Sequence, residues 1–362
     1  MDKKLGFGLM RLPLTDPNNN GSVDIELLKQ MVDAYLQRGF TYFDTAWMYC
    51  DGQSEHAVKQ VLTDRYPRDR FTVTSKLPNG PLNTPEDRDK IFNEQLRKTG
   101  LTYFDYYLLH AIGEQNIERF NQYDCFTWLM EKKKQGFVKN IGFSFHGTPK
   151  LLDELLTKYP QMDVVQLMIN YLDWENEKVC SRECHEIAVR HNKKIIIMEP
   201  IRGGALADVP EKVKMMFKNA DSNASVASWA IRFAASLGNV VMVLSGMSNL
   251  EQVLDNTAYM QDFLPLTEDE MRMALFAGEI INGQVKIACT GCAYCLENCP
   301  KNIAIPQCFA AYNKGDKAAY DTLSKNFGKA SDCIGCGQCE KACPQLLAIR
   351  GHLKTVAKEF DA

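Results

Sequence analysis

Asp44, Tyr49, Lys76 and His110 are four side chains whose chemistries fit together. A phenol has a pKa near ~10, too high for easy proton exchange at neutral pH. A nearby ammonium stabilises the phenolate and lowers that value. A carboxylate beside the ammonium keeps it charged and positioned, and a histidine can donate a hydrogen bond to a carbonyl oxygen and orient it. Such a set would protonate a carbonyl oxygen as hydride reaches its carbon. Two of the four lie in one stretch, Phe40–Tyr49, where an aromatic and β-branched run reads as a short strand ending on Asp44. Taken alone, that stretch also reads as a helix cap at Asp44 and loop packing at Tyr49.

The second chemical signature is Cys289-x2-Cys292-x2-Cys295-x3-Cys299-Pro300, followed by Cys333-x2-Cys336-x2-Cys339-x3-Cys343-Pro344. This is the bacterial ferredoxin spacing, written twice. Three close thiolates wrap one corner of a cubane cluster, and the fourth, before proline, reaches the other cluster. The spacing predicts two [4Fe-4S] clusters, one on Cys289, Cys292, Cys295 and Cys343 and one on Cys333, Cys336, Cys339 and Cys299. Paired CxxC units also bind zinc, but zinc leaves the third cysteine and the x3-Cys-Pro of each run unexplained. Nine of the thirteen cysteines lie after residue 288, so cysteine content belongs to one end of the chain. Cys180 and Cys184, with His185 and His191 nearby, read as a helix face rather than a metal site. Cys50, Cys125 and Cys308 fit no ligand spacing. His146, just after Ser144, is placed to line the same mouth as the four-residue set.

These residues need elements to position them. Strands are expected at Leu5–Met10, Phe40–Phe43, Phe71–Ser75, Phe104–Leu109, Val138–Phe143, Val164–Ile169, Lys194–Met198 and Val240–Leu244. Helical apolar periodicity follows each, as at Ile25, Leu28, Val32, Tyr35 and Leu36. Thr84-Pro85 and Thr148-Pro149 open two of the helices, and one long helix is expected to end near Gln135. Strands alternating with helices imply parallel pairing through crossovers. Eight such units in about 260 residues make a closed (β/α)₈ TIM barrel. Asp44, Lys76, His110, Ser144, Gln166 and Ser245 then fall at or near the carboxyl ends of different strands, which a barrel gathers on one face. Thr267-Glu268-Asp269-Glu270 is a capping box that starts a connecting helix. The expected division is a barrel over 1–264, a linker helix over 265–285 and a small, partly helical dicluster ferredoxin-like domain over 286–362.

Taken in order, the motifs resemble the aldo-keto reductase family. They are Gly6-Phe7-Gly8-Leu9-Met10, Asp44-Thr45-Ala46 with Tyr49, Gly52-x-Ser54-Glu55, Thr74-Ser75-Lys76, Tyr107-Leu108-Leu109-His110, Gly142-Phe143-Ser144 and Gln166-x3-Asn170, spread over residues 5–260. The resemblance implies that Tyr49 is the proton donor, that Lys76 and Asp44 tune it, and that His110 orients the substrate. It implies that Ser144, Gln166 and Asn170 hold the nicotinamide carboxamide, with Gly8, Met10, Met198 and Pro200 beside the coenzyme. Ser245, Gly246 and Ser248, with Gln252 and Asn256, would meet the adenosine phosphate end. Two positions depart from the family. Met198 stands where an aromatic ring often stacks on the nicotinamide, and Gln252 stands where many members carry an Arg for the 2′-phosphate of NADP. The coenzyme expectation is therefore NADP or NAD, leaning to NADP, and a bound flavin is also compatible with that face.

Composition narrows the function. The chain has 45% hydrophobic residues, 24% charged residues and a formal net charge of −3, which gives no argument for nucleic acid. No apolar run approaches the ~20 residues of a membrane span and no signal peptide is read, so a cytoplasmic protein is expected. The first expectation is an NAD(P)H-dependent reductase of a small-molecule aldehyde or ketone, or in reverse the NAD(P)-linked oxidation of an alcohol, fused to a two-cluster iron–sulfur module. The alternative is a flavin- or ferredoxin-linked electron-transfer enzyme whose clusters exchange electrons with the barrel site, with a redox partner protein docking at the module. The third is an iron–sulfur sensor on an inactive barrel, against which the intact set of four argues.

Overall fold

A computed structural model describes residues 3–283 and 285–361. Eight parallel strands close in sequence order into a barrel. They are β1 (Leu5–Gly8), β2 (Tyr42–Asp44), β3 (Thr72–Leu77), β4 (Phe104–Ile112), β5 (Val138–Phe145), β6 (Val164–Met168), β7 (Lys194–Met198) and β8 (Val240–Gly246). The fold is the (β/α)₈ barrel expected from the alternation of strands and helices.

The barrel's interior explains why the polar residues collect at one end. Tyr42, Leu108, Val164, Ile196 and Leu244 form an apolar cluster separate from the main core between strands and helices. They are the inward-facing residues of β2, β4, β6, β7 and β8. Side chains in a strand alternate, so the next inward position is two residues on. Two residues beyond Tyr42, Leu108, Val164 and Ile196 stand Asp44, His110, Gln166 and Met198. The apolar plug thus forms the floor on which the polar layer rests, at the carboxyl end of the barrel where such folds keep their chemistry.

Helices begin where capping side chains allow. Asp24 accepts from the Leu27 amide at the start of Ile25–Gln37, and Thr148 accepts from Leu151 before Pro149–Lys158. Thr267 and Glu270 form the capping box of Glu268–Asn282. That helix buries Ala274, Ala277 and Ile281 in the barrel's own core. Three local expectations are corrected. The helix expected from Thr84 starts at Asp87, whose carboxylate instead accepts from the amides of Asn83 and Thr84. The long helix before Gln135 is two, Ile117–Gln122 and Cys125–Lys134, broken at Asp124 with φ 47°. Arg88 holds that break by donating to the carbonyls of Tyr123 and Asp124. An additional helix, Glu211–Ala220, lies between β7 and the helix Val226–Ser236.

After residue 285 a second apolar cluster forms from Ile287, Ile303, Phe309, Tyr320, Ile349, Leu353, Val356 and Phe360, with Cys295, Cys308 and Cys339 among them. Its helices are Ile305–Lys314, Lys317–Leu323 and Ile349–Phe360. Among the described residues no helix is long and apolar enough to cross a membrane.

Candidate functional site

Lys76 is the centre of the polar layer and is fully buried. Its ammonium donates to Asp44 Oδ1 at 2.6 Å, to the Thr45 carbonyl at 2.9 Å and to the Tyr49 hydroxyl at 3.3 Å. An ammonium has three donors, and all three find acceptors here. Asp44 uses its other oxygen to accept from Gln166 Nε2 at 3.2 Å. Burial pushes Asp44 up and Lys76 down in pKa, and each is the other's main compensating charge.

Tyr49 sits in the loop after β2 and is half-buried, so it is reachable from the mouth. The loop is tightly folded: Cys50, Asp51 and Gly52 all have positive φ, and the Tyr49 carbonyl accepts from the amides of Gly52 and Ser54. The Ser54 hydroxyl donates to Leu9 O at 2.9 Å and pairs with Thr45 Oγ1 at 2.7 Å, which ties the loop to β1 and β2. The Tyr49 pKa is pushed well above the usual phenol range, by burial first and then by Asp44, Glu199 and Cys50. That direction corrects the expectation of a lowered value. The Lys76 charge is already compensated by Asp44, so in the resting site Tyr49 is a neutral phenol with its proton in place.

His110 owes its position to a bulge. The β4–β5 register shifts between Leu109 and Ile112, and Ala111 has φ 57°. Ser144 Oγ accepts from the Ala111 amide at 2.7 Å and Asn116 donates to the Ala111 carbonyl at 2.8 Å, so both sides of the bulge are pinned. The His110 ring meets the Tyr49 ring edge-on, with centroids 5.9 Å apart. Burial, then Lys76 and His146, hold the His110 pKa well below the usual imidazole value, so it is neutral.

A buried network absent from the sequence reading stands behind β3. Glu55 accepts from Ser75 at 2.8 Å and from Gln95 at 2.6 Å, and Gln95 also donates to the Lys76 carbonyl at 3.0 Å. Tyr107 donates to the same Gln95. Gln95 and Tyr107 carry no motif of their own and are brought together only by helix packing on the strands.

The other expected coenzyme residues divide into two groups. Gly8, Met10, Ser144, Gln166, Met198, Gly246 and Ser248 lie in or just after the barrel strands, and Gln252 lies in the first turn of the helix Leu250–Gln261. Ser248 donates to Arg11 O at 2.8 Å, and its amide donates to Gln252 Oε1 at 2.7 Å. Asn170, Ser245 and Asn256 are turned inward. Asn170 donates to Asp173 and the Glu199 carbonyl and accepts from the amides of Leu172 and Asp173, which uses every polar position it has. Asn256 donates to Ser245 Oγ and accepts from Tyr259. Pro200 is buried behind β7.

Glu199 enters the site unannounced by the sequence. It follows β7 with φ 54°, its Oε2 is buried without a partner, and its pKa is pushed up to about 7, chiefly by burial. Its influence on Tyr49 places it on the same mouth. A Glu-Pro pair at a strand end was the only available signal.

The cysteines line two small cavities. Cys289, Cys292, Cys295 and Cys343 line one, and Cys299, Cys333, Cys336 and Cys339 line the other. Among the described residues no group of three or more His, Cys, Asp or Glu closes on a single metal ion. Backbone amides of Gly291 and Ile303 donate to the sulfurs of Cys289 and Cys299. Cys180 is the cap of Ser181–Arg190, while His185 binds Gly238 O and His191 binds Asp153.

The aldo/keto reductase family matches residues 4–274, and a 4Fe-4S dicluster domain matches residues 288–349. An aldo-keto reductase of Mycolicibacterium smegmatis is 26% identical over 243 residues, covering 67% of this chain and 79% of its own. An NAD/NADP-dependent indole-3-acetaldehyde reductase of Schizosaccharomyces pombe is 35% identical over 134 residues, 36% of this chain and 45% of its own. Among solved structures, the holo form of an aldo-keto reductase from Bacillus halodurans superimposes with a TM-score of 0.61 at 21% identity, over 76% of this chain and 91% of its own. An aldo-keto reductase from Klebsiella pneumoniae in complex with NADPH gives 0.58 at 17% identity, over 77% and 90%.

Proposed function

Because the chain belongs to the aldo/keto reductase family and carries a 4Fe-4S dicluster domain, we propose that it is an NAD(P)H-dependent carbonyl reductase with Tyr49 as proton donor. The observation that carries this reading is the buried Lys76 ammonium, held by Asp44 and 3.3 Å from the Tyr49 hydroxyl. The site also suits a polar ligand. His146 Nδ1 and Glu199 Oε2 are buried without partners, a state that costs ~1–3 kcal/mol each until filled. Ser144 and Gln166 would hold the carboxamide of the nicotinamide, and Ser248 and Gln252, beside Arg11, the phosphate end. The coenzyme supplies a hydride to the carbonyl carbon when bound. The Tyr49 O–H bond breaks, its proton goes to the carbonyl oxygen, and the charge left on Tyr49 is met by Lys76. Neutral His110 donates a hydrogen bond to that oxygen and orients it. NADP is preferred over NAD on the strength of the Klebsiella pneumoniae neighbour's NADPH. The reading needs no flavin.

We assign catalysis to residues 1–264, the connection to 265–285 and two [4Fe-4S] clusters to 286–362. Cys289, Cys292, Cys295 and Cys343 hold one cluster, and Cys333, Cys336, Cys339 and Cys299 the other. The support is that each set surrounds a cavity rather than converging on a point, as thiolates around a cubane must and around zinc must not.

Glu199 gives this reading a pH signature. A carboxylate facing Tyr49 opposes phenolate formation, so Tyr49 becomes a weaker acid once Glu199 ionises. As pH rises through about 7, kcat is expected to fall roughly threefold to tenfold. His110 stays neutral throughout that window. Glu199→Gln should flatten the step; a variant that keeps it would place the titrating group elsewhere.

A second reading has one observation in its favour: the first cysteine loop lies on the barrel mouth, where Arg202 donates to Ala288 O at 3.3 Å and Arg11 to Gly291 O at 3.4 Å. In it, single electrons from a redox partner reach the barrel site through the iron–sulfur module. Nicotinamide gives two electrons as hydride and a cluster moves one, so direct exchange needs a splitter. An anaerobic titration with NADPH, then NADH, following the broad iron–sulfur absorbance, separates the readings. We expect no bleaching by either and full bleaching by dithionite. Bleaching by a nicotinamide would favour the second reading.

A further inference from the structure

The segment after β7 has a backbone that its own sequence does not hold. Glu199 and Arg202 have φ 54° and 47°, and Gly203 and Gly204 follow at 67° and 98°. Left-handed backbone at residues with side chains persists only where neighbours fix it. From the barrel, Asn170 donates to the Glu199 carbonyl at 3.2 Å, and Arg202, almost wholly buried, donates to Asp173 at 2.8 Å. The iron–sulfur module holds the segment from the other side. Arg202 donates to the Ala288 carbonyl at 3.3 Å, and Arg11 donates to the Gly291 carbonyl at 3.4 Å. Between them the Thr290 carbonyl is packed so closely on Gly203 that a Cβ there would stand 1.8 Å from it, so only glycine fits. Gln345, just past Cys343-Pro344, donates to Met168 Sδ at 3.0 Å, at the carboxyl end of β6.

These four contacts all belong to one cluster site. Ala288, Thr290 and Gly291 flank Cys289 and Cys292, and Gln345 lines the same cavity as Cys343. The other set, Cys299, Cys333, Cys336 and Cys339, makes no hydrogen bond to the barrel among the described residues. Residues 288–293 are neither helix nor strand. A loop of this kind takes its shape from what its cysteines bind, because binding free energy at a metal site is also folding free energy. The segment it holds lies on the coenzyme's path. Ser144 and Gln166, assigned to the carboxamide, are on β5 and β6, while Ser248 and Gln252, assigned to the phosphate end, follow β8. The strands neighbour one another in the order β5-β6-β7-β8. A coenzyme spanning both sets crosses the carboxyl end of β7.

We propose that the site of Cys289, Cys292, Cys295 and Cys343 is a clamp on the barrel. When its cluster is in place, the loop holds residues 199–204 in the conformation that binds coenzyme. When the cluster is lost, the loop lets that segment go and coenzyme affinity falls. The inference rests on the carbonyl-reductase reading above. It gives the module a part in the reductase that requires no electron to pass between cluster and nicotinamide: occupancy of one cluster site sets how well the barrel holds its coenzyme. The coupling is carried by the Thr290–Gly203 contact and the two arginine bonds, a contiguous link between the two sites.

The test is an anaerobic fluorescence titration with NADPH, then NADH, of the full-length holoprotein and of Cys292→Ser, which removes one ligand of the clamp site. We expect Kd for NADPH to rise about tenfold or more in the variant, within the usual range of a coupling between two sites. Hydrogen exchange of the amides of residues 200–206, measured without coenzyme, should quicken in the same variant while the barrel strands stay protected. Gly203→Ala keeps every cysteine but forces the Thr290 carbonyl off its seat, so it should weaken NADPH binding with iron content unchanged. Coupling is reciprocal, so saturating NADP⁺ should help the natural holoprotein retain iron against a chelator. Unchanged NADPH affinity in a folded Cys292→Ser variant overturns the inference and leaves the reductase reading standing. If Cys292→Ser does not fold, unchanged affinity in Gly203→Ala overturns it in the same way. A natural holoprotein that binds neither NADPH nor NADH overturns the reading and the inference together.

Discussion

Replacing Tyr49 by Phe will lower NAD(P)H-linked carbonyl turnover by about 10³-fold, the scale of a positioned general acid, while the protein stays folded. Phe keeps the ring, and with it the edge-on contact to His110 and the Lys76 ammonium 4.8 Å over the ring face. Only the hydroxyl is lost. Lys76 then forfeits its longest acceptor and retains Asp44 at 2.6 Å and Thr45 O at 2.9 Å. The stability change should stay within about 1 kcal/mol, the net worth of one such hydrogen bond. The loss should appear in kcat, because the proton is transferred only as charge develops on the carbonyl oxygen, and KM should move little. Steady-state kinetics with anaerobic thermal unfolding check both halves. Turnover within threefold of the natural chain would remove Tyr49 from the role.

Four residues separated by up to 66 positions could be assembled from sequence because each ends a recognisable strand or follows one closely. Apolar runs of the right length marked the strands, and the two-residue alternation carried each polar residue to the level above the plug. The cysteines were legible for a different reason: their spacing alone groups them, and the cavities group them the same way. What escaped depended on contacts between distant segments. Asp124 breaks a helix because Arg88, from another helix, takes the carbonyls there, and no local residue preference announces that. Glu199 faces the mouth because its backbone is left-handed, a conformation a glutamate rarely signals. The Tyr49 pKa shift runs opposite to the expectation because burial, its largest cause, and the carboxylates of Asp44 and Glu199 outweigh the ammonium.

That same pair makes the second large prediction. Lys76→Met removes the cation and leaves the Asp44 carboxylate buried with only Gln166 to meet it. Breaking a buried pair in this way costs about 3–5 kcal/mol. The penalty has a definite pH dependence. Burial already holds the Asp44 pKa above its ordinary value, and without Lys76 it rises further. A carboxyl whose folded pKa is raised is at no disadvantage below its unfolded pKa, where it is protonated in both states. Stability is lost as pH rises through the folded value. Lys76→Met should therefore lie closest to the natural chain near pH 4–5 and furthest from it above pH 7, as read by unfolding midpoints across that range. Asp44→Asn combined with Lys76→Met removes both charges. It should recover most of the stability, because a buried pair replaced by neutral groups of similar volume is often close to neutral. Activity should not return, since nothing is left to stabilise charge on Tyr49. A double variant as unstable as Lys76→Met would mean that packing around the ammonium, rather than the unpaired carboxylate, sets the cost.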